Sequence, residues 1–293
     1  MHHYSEELVN GLARKAQTFR MQVLEMVYHA QTGHLGGAFS IAEILTALYF
    51  HHLRIDGTPP DLKSDDKVLL SKGHACAMLY TVLANRGYFP VDELKTFRKL
   101  NSRLQGHPEC GKLPGVEICA GPLGHGIAIG AGIALAKRMN IEKPSSFTAP
   151  SARASHGRVY VIVGDGEINA GVIWEGAMTA AKYRLGNLTV ILDYNGIQQT
   201  GATTDVMPTE PIADKWRSFG WWTTETHGHS VKQVLEALDR ADEVHAQPCI
   251  IIARTTKGKG VGLFEYDNRW HGQAPNKQQY EEAMKELKQG LKR

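Results

Sequence analysis

No pair among the four cysteines, Cys76, Cys110, Cys119 and Cys249, has Cys-x-x-Cys spacing. That argues against a zinc ribbon or a disulfide scaffold and predicts reduced, mostly buried thiols in a cytoplasmic protein. No apolar run approaches the roughly 18 residues of a membrane-spanning helix, so no membrane partner is expected. The opening MHHYSEELVNGLARKA has no apolar signal-peptide core. Charge of one sign is also missing. The 33 Lys and Arg are nearly balanced by 30 Asp and Glu, leaving +3 without a basic stripe, so nucleic acid is not an expected partner. With no internal repeat and no break in composition, residues 1–293 read as one domain.

What is present is ordinary for a globular core, with 42% hydrophobic and 22% charged residues. The 30 glycines cluster in TGHLGGA, AGPLGHGIAIGAG and TTKGKGVG, which suggests backbone held close to a ligand or to another helix. Leu8, Leu12, Phe19, Val23 and Met26 recur near helical spacing and predict a helix over 5–30 that QTGHLGGAFS breaks. Ser40 followed by Glu43 has the form of a capping box for a helix over IAEILTALYFHHL. After a polar loop at 55–66 come a strand at KVLLS, a helix at AMLYTVLANRG and a short helix at DELKTFRKL. A Gly/Ala-rich helix at 126–139 leads to a Pro/Ser/Ala loop around 143–157. From Val159 the order is β-α-β-α-β-α-β, with helices at 171–184, PIADKWRSFG and VKQVLEALDRA. The strands are RVYVIV, NLTVILD, WWTTETH and PCIIIARTT. This order predicts an α/β fold, a mostly parallel sheet with helices on both faces and ligand sites at the carboxyl ends of strands. A charged helical tail is expected over about 277–293.

The segment VYVIVGDGEINAGVIWEGAM resembles a dinucleotide-binding turn, but the third glycine slot holds Asn169 and no acidic residue stands where a ribose clamp requires one. An aspartate between two glycines would repel a phosphate unless a hard divalent cation, Mg²⁺ or Ca²⁺, lies between them. Such an ion wants a second oxygen ligand from the next strand end. Asn195, one β-α-β unit beyond Asp165, can offer its side-chain carbonyl. Taken singly, Asp165 reads as a helix cap and Asn195 as a turn residue; together at this spacing they favour a metal-bridged diphosphate.

GDGEINAGVIWEGAMTAAKYRLGNLTVILDYNGIQ resembles the thiamine-diphosphate motif, and the chain as a whole resembles a transketolase. TGHLGGAFS, LSKGHACAMLY, QGHPE, LPGVEICAGPLGHG and WHGQAPN match transketolase segments in the same order. The resemblance implies the thiamine-diphosphate-binding fold and, more narrowly, the N-terminal subunit of a split transketolase. It assigns Asp165, the Asn195 side chain and the Ile197 carbonyl to the metal, and Gly164, Gly166 and Glu167 to the diphosphate turn. It assigns Gly121, Pro122, Leu123 and Gly124 to the aminopyrimidine loop. His34, His74, His107 and His271 become the catalytic histidines, with His74 and His271 also against the cofactor. His51, His52, His156, His227, His229 and His245 are left as solvated or structural. The implied reaction moves a two-carbon ketol unit between sugar phosphates. The glutamate that activates the cofactor comes, in the family, from the pyrimidine-binding domain. A separate C-terminal subunit is therefore expected, with dimerisation of the pair to α2β2, and this chain is expected to be inactive alone. The helices at 126–139 and 171–184 are candidate contact surfaces, with core packing as the alternative for each. Two positions depart from the family pattern. Ala170 stands where transketolases usually have a glutamate at the dimer interface, with Glu175 retained, and His125 turns the usual GPLGQG into GPLGHG.

Overall fold

The computed structural model describes residues 4–55, 66–139 and 157–291. The loop at 143–157 lies outside them up to and including His156, as does the interior of the loop at 55–66.

Helix α1 (Glu6–Ala30) begins at Ser5, whose hydroxyl accepts from the Leu8 amide at 3.2 Å, a side-chain cap worth about 1 kcal/mol. It ends at Gln31 in the left-handed region. The glycine stretch that breaks it holds a short helix of its own, α2 (Leu35–Phe39), fully buried. Helix α3 (Ala42–Ala47) follows and runs on as a π turn over Leu48–His52. The capping box expected at Ser40 and Glu43 does not form. The Ser40 hydroxyl donates to the Gly37 carbonyl and to Asp193, while the Glu43 carboxylate takes both Arg20 Nη atoms at 2.6 Å and His229 at 2.9 Å. Both residues are buried, and there an ion pair outweighs a cap.

Strand β1 (Lys67–Leu70) leads through a turn at Gly73–Ala75 into α4 (Cys76–Arg86), which closes on Gly87 with φ 95°. The expected short helix in DELKTFRKL is a 3₁₀ segment, Val91–Thr96, cut off before Arg98, whose φ is 57°. Then come α5 (His125–Met139), β2 (Val159–Gly164), α6 (Gly171–Lys182), β3 (Leu188–Tyr194) and α7 (Thr203–Val206). The chain closes with α8 (Ile212–Ser218), β4 (Trp222–His227), α9 (Val231–Asp242), β5 (Cys249–Arg254) and α10 (Lys277–Gly290).

The five strands pair in parallel in the order β1-β2-β3-β5-β4. Period-two alternation divides their side chains between two apolar layers. Val159, Val161 and Val163 pack with Leu188, Val190 and Leu192 against α5, α6 and α8. Tyr160, Ile162, Ile191 and Ile251 face α1, α3, α4 and α9. Covering both faces is what turns these strands into unbroken apolar runs. Register sets Gly164 beside Asp193, so the residues just past β2 and β3 meet at one edge of the sheet.

Candidate active site

Asp165 follows the last residue of β2 and is 3% exposed. Its Oδ1 accepts from the Gly166 amide at 2.8 Å, and its Oδ2 from the Asn195 and Gly196 amides at 3.0 and 2.6 Å. Burial, with the Asp193 charge beside it, nonetheless pushes its pKa up to about 6: a carboxylate taken from water without enough positive charge. Asn195 donates from Nδ2 to Asp193 at 3.2 Å and accepts at Oδ1 from the Ile197 amide at 3.1 Å. The Ile197 carbonyl accepts from Lys257 Nζ at 3.0 Å. The three residues expected to bind a metal thus share one corner, as a carboxylate, an amide oxygen and a main-chain carbonyl. That is a hard-oxygen donor set suited to Mg²⁺ or Ca²⁺. Among the described residues no group of three or more His, Cys, Asp or Glu could hold a metal ion, so a cation at this edge depends on the mixed set.

Beneath this corner lies a pair that the motifs did not assign. Lys72 and Asp193, 2% and 0% exposed, form an ion pair. Lys72 also donates to the Gly37 carbonyl at 3.0 Å, and Asp193 accepts from Ser40, Thr255 and Asn195. Burial opposes ionisation of Asp193, but Lys72 and these donors outweigh it and its pKa is lowered. By holding Nδ2 of Asn195, Asp193 decides which end of that amide is left for a metal. A second lysine, Lys257, donates to Ile197, to the Gln198 carbonyl and to His271 Nδ1 at 3.0–3.1 Å. Burial, then Lys72, lower its pKa to about 8. The sequence signal for Lys72 and Asp193 was a charge at the end of a strand apolar on both faces, which must find a partner.

Three of the four singled-out histidines stand together. Ring centroids are 5.3 Å apart for His34 and His74, 5.4 Å for His34 and His271, and 4.9 Å for His74 and His271. Gly37 lets this cluster close: a Cβ there would lie 3.3 Å from His74 Nε2 and from Lys72 Nζ. His107 is more exposed and lies near Gly121, where an added Cβ would be 4.0 Å from its ring. Burial, followed by neighbouring cations and imidazoles, lowers His34 to about 4 and His271 to about 3. His74 falls well below the usual value through burial and Lys72, and His107 is lowered by burial and Arg98. Neutral imidazoles, each with one N–H and one lone pair, therefore line the site.

The loop Gly121, Pro122, Leu123, Gly124 is tied to the end of β2 by Glu167. This buried carboxylate accepts from Ser71, from the Gly124 amide at 2.7 Å and from the Gly164 amide at 3.0 Å. Glu167, expected among the cofactor contacts, thus spends its oxygens inside the protein, and the Gly166 amide, expected to face a diphosphate, donates to Asp165. Ala170 precedes α6 and packs on the same loop: a Cβ at Gly124 would lie 3.0 Å from its own. Glu175 and His125 are exposed. Of the histidines left as solvated or structural, His229 is half-buried, bonded to Glu43 and accepting from the Thr256 amide at 2.7 Å. His52 bonds Tyr160 at 2.9 Å.

Residues 12–292 match the family model for the transketolase thiamine diphosphate binding domain. The chain belongs to the transketolase family. It is 35% identical over 285 residues to one chain of the apulose-4-phosphate transketolase of Phocaeicola vulgatus, named as a subunit of that enzyme, covering 97% of this chain and 96% of the relative. It is 35% identical to a 6-deoxy-6-sulfo-D-fructose transketolase subunit of Clostridium sp., covering 97% and 98%. Human transketolase is 32% identical over 98% of this chain, which spans 43% of that protein. Among solved structures, Pichia stipitis transketolase in complex with sedoheptulose-7-phosphate superposes with a TM-score of 0.85 at 33% identity. That match covers 96% of this chain and 41% of the other. A transketolase domain of this kind accounts for a parallel sheet whose β2 and β3 ends carry Asp165 and Asn195. Arg98, at the edge of the cluster, was missed because DELKTFRKL reads only as a short helix and lies outside every site motif.

Proposed function

We propose that this chain is the thiamine-diphosphate-binding subunit of a two-chain transketolase that moves a two-carbon ketol unit from a ketose phosphate to an aldose phosphate. The observation that carries this is the meeting of the Asp165, Asn195 and Ile197 oxygens with the His34, His74 and His271 cluster along one sheet edge. The match over almost the whole length of two proteins named as transketolase subunits, against 43% of human transketolase, supports a separate partner chain. That partner would carry the pyrimidine-binding and C-terminal domains, and the assembly would be α2β2 in the cytoplasm. The faces of α5 and α6, where Ile129 and Met178 are 41% and 53% exposed, are offered as contact surfaces.

Bound thiamine diphosphate supplies the thiazolium carbon on which the ketol unit is carried. Asp165, Asn195 Oδ1 and the Ile197 carbonyl would hold Mg²⁺ (or Ca²⁺) against the diphosphate. Lys257 adds a cation at the same edge. The loop 121–124, short of side-chain bulk at its glycines, would let main chain reach the aminopyrimidine. His34, His74, His107 and His271, neutral at physiological pH, would bind ketose oxygens and hold or pass a proton at their ring nitrogens.

A second reading is a pathway-specific enzyme for an unusual branched or sulfonated ketose. The names of the two subunit relatives, for apulose-4-phosphate and 6-deoxy-6-sulfo-D-fructose, favour it. A donor panel run on the reconstituted pair separates the two. Turnover of xylulose 5-phosphate above the other ketoses supports the housekeeping reading; turnover confined to another ketose overturns it in favour of the second.

A further inference from the structure

Arg98 reaches the histidine cluster from outside every motif of the site. Its own backbone is in the left-handed region, φ 57°, anchored by its amide on the Leu104 carbonyl at 2.8 Å and by buried Phe97 before it. The guanidinium presses on Gly106, where a Cβ would lie 2.8 Å from Cζ. Nη1 donates to Thr32 Oγ1 at 2.8 Å, and Nη2 to His34 Nδ1 at 3.3 Å and to the Gly106 carbonyl at 3.4 Å. All of these partners are neutral. Nε is buried with no acceptor among the described residues. A cation placed this way is a poor stabilising device, because desolvating it is not repaid by an opposite charge.

What it does accomplish is chemical. A guanidinium has donors and no lone pair. It can bond Nδ1 of His34 only if that nitrogen carries no proton. A neutral imidazole so held must carry its proton on Nε2, the ring edge that lies near Gly272 among the clustered histidines. We propose that Arg98 is a positioning residue that locks His34 in the Nε2–H form, so that His34 offers the site a hydrogen-bond donor rather than a base. A ketose hydroxyl or carbonyl oxygen is the matching acceptor. Lys257 does the same at His271 Nδ1, so two rings of the cluster present the same edge chemistry. Only the identity of the acceptor rests on the ketol-transfer reading; the tautomer does not.

The test is histidine nitrogen NMR on the full chain, with the His34 signals assigned by their loss in His34→Gln. At neutral pH the wild type should show an unprotonated Nδ1 and a protonated Nε2. A proton on Nδ1, or a mixture of tautomers, overturns the proposal without any variant. In Arg98→Met the His34 signals should become those of a tautomer mixture while the other histidines keep theirs. Arg98→Lys keeps the charge but not the reach of the fork, and should show the mixture too, which covers the case in which Arg98→Met does not fold. A folded variant of either kind that keeps the wild-type pattern overturns the proposal. In the pair with its partner chain, Arg98→Met should lose about tenfold in kcat/KM for the ketose, with thiamine diphosphate affinity unchanged. An undiminished kcat/KM overturns the donor role. If the wild-type pair transfers no ketol at all, the functional reading fails while the tautomer result still stands.

Discussion

His34, His74 and His271 share a small volume with Lys72, Lys257 and Arg98, so any proton added there meets positive charge. The ordinary histidine pKa is about 6.5, against about 4 for His34 and about 3 for His271 in the folded chain. As pH falls below the unfolded value, the unfolded chain takes up protons that the folded one refuses. The stability contribution is therefore complete above about pH 6.5 and is lost progressively as pH falls toward the folded pKa values. Urea unfolding at about pH 5 should show His34 and His271 each costing roughly 1–2 kcal/mol relative to neutral pH. His34→Gln and His271→Gln should each shrink that loss; an unchanged pH dependence in both would contradict the depressed pKa values. At this scale the sequence was readable wherever chemistry is concentrated in a short motif. Asp165, Asn195 and the glycine-flanked histidines stand out in the chain by themselves. The Lys72–Asp193 pair does not, because its members are 121 residues apart and only the sheet brings them together. The direction of the Glu167 carboxylate was not legible for a related reason. Its position in the motif put it near the diphosphate turn, but its direction depends on Ser71 and Gly124, which arrive from other loops.

Helix α5 shows how small residues are used at the level of an element. A Cβ at Gly130 would lie 2.6 Å from Val161 Cγ2 on β2, whereas a Cβ at Gly132 would meet nothing within 4 Å. Gly130→Ala should therefore destabilise by about 1–3 kcal/mol through overpacking. Gly132→Ala, on the same helix, should instead stabilise by roughly 0.5–1 kcal/mol through helix propensity and unfolded-state entropy. Thermal unfolding of the two variants, measured side by side, checks both signs; equal effects would mean that α5 does not sit on β2 as described. Elements built from long periodic or unbroken apolar runs were legible. The strand read at RVYVIV is Val159–Gly164 to within a residue, and the helix read at VKQVLEALDRA is Val231–Asp242. The misses fall where tertiary contacts overrule local signals. Ser40 and Glu43 have the spacing of a capping box but are claimed by Asp193 and Arg20. The helix α2 persists through Gly36 and Gly37 because Lys257, His74 and Lys72 pack against those glycines and leave no room for side chains.

At the scale of the whole molecule, the described residues form one five-stranded sheet with the candidate site gathered at one edge, and the transketolase family places thiamine diphosphate in such a domain. Under the proposed function, the oxygen set holds the metal and the histidine cluster binds and orients the ketose. Under the proposed two-chain assembly they act only when a partner chain completes the cofactor site. Sequence patterns pointed to this organisation through ordered motif matches spread over nearly the full chain, which is why the architecture was more legible than individual contacts. The most direct test of the account is ketol transfer with thiamine diphosphate and Mg²⁺, assayed for this chain alone, for the C-terminal transketolase chain alone, and for the two mixed. The prediction is turnover in the mixture only, abolished by Asp165→Ala in this chain. Turnover by this chain alone, or a mixture whose activity survives Asp165→Ala, would contradict it.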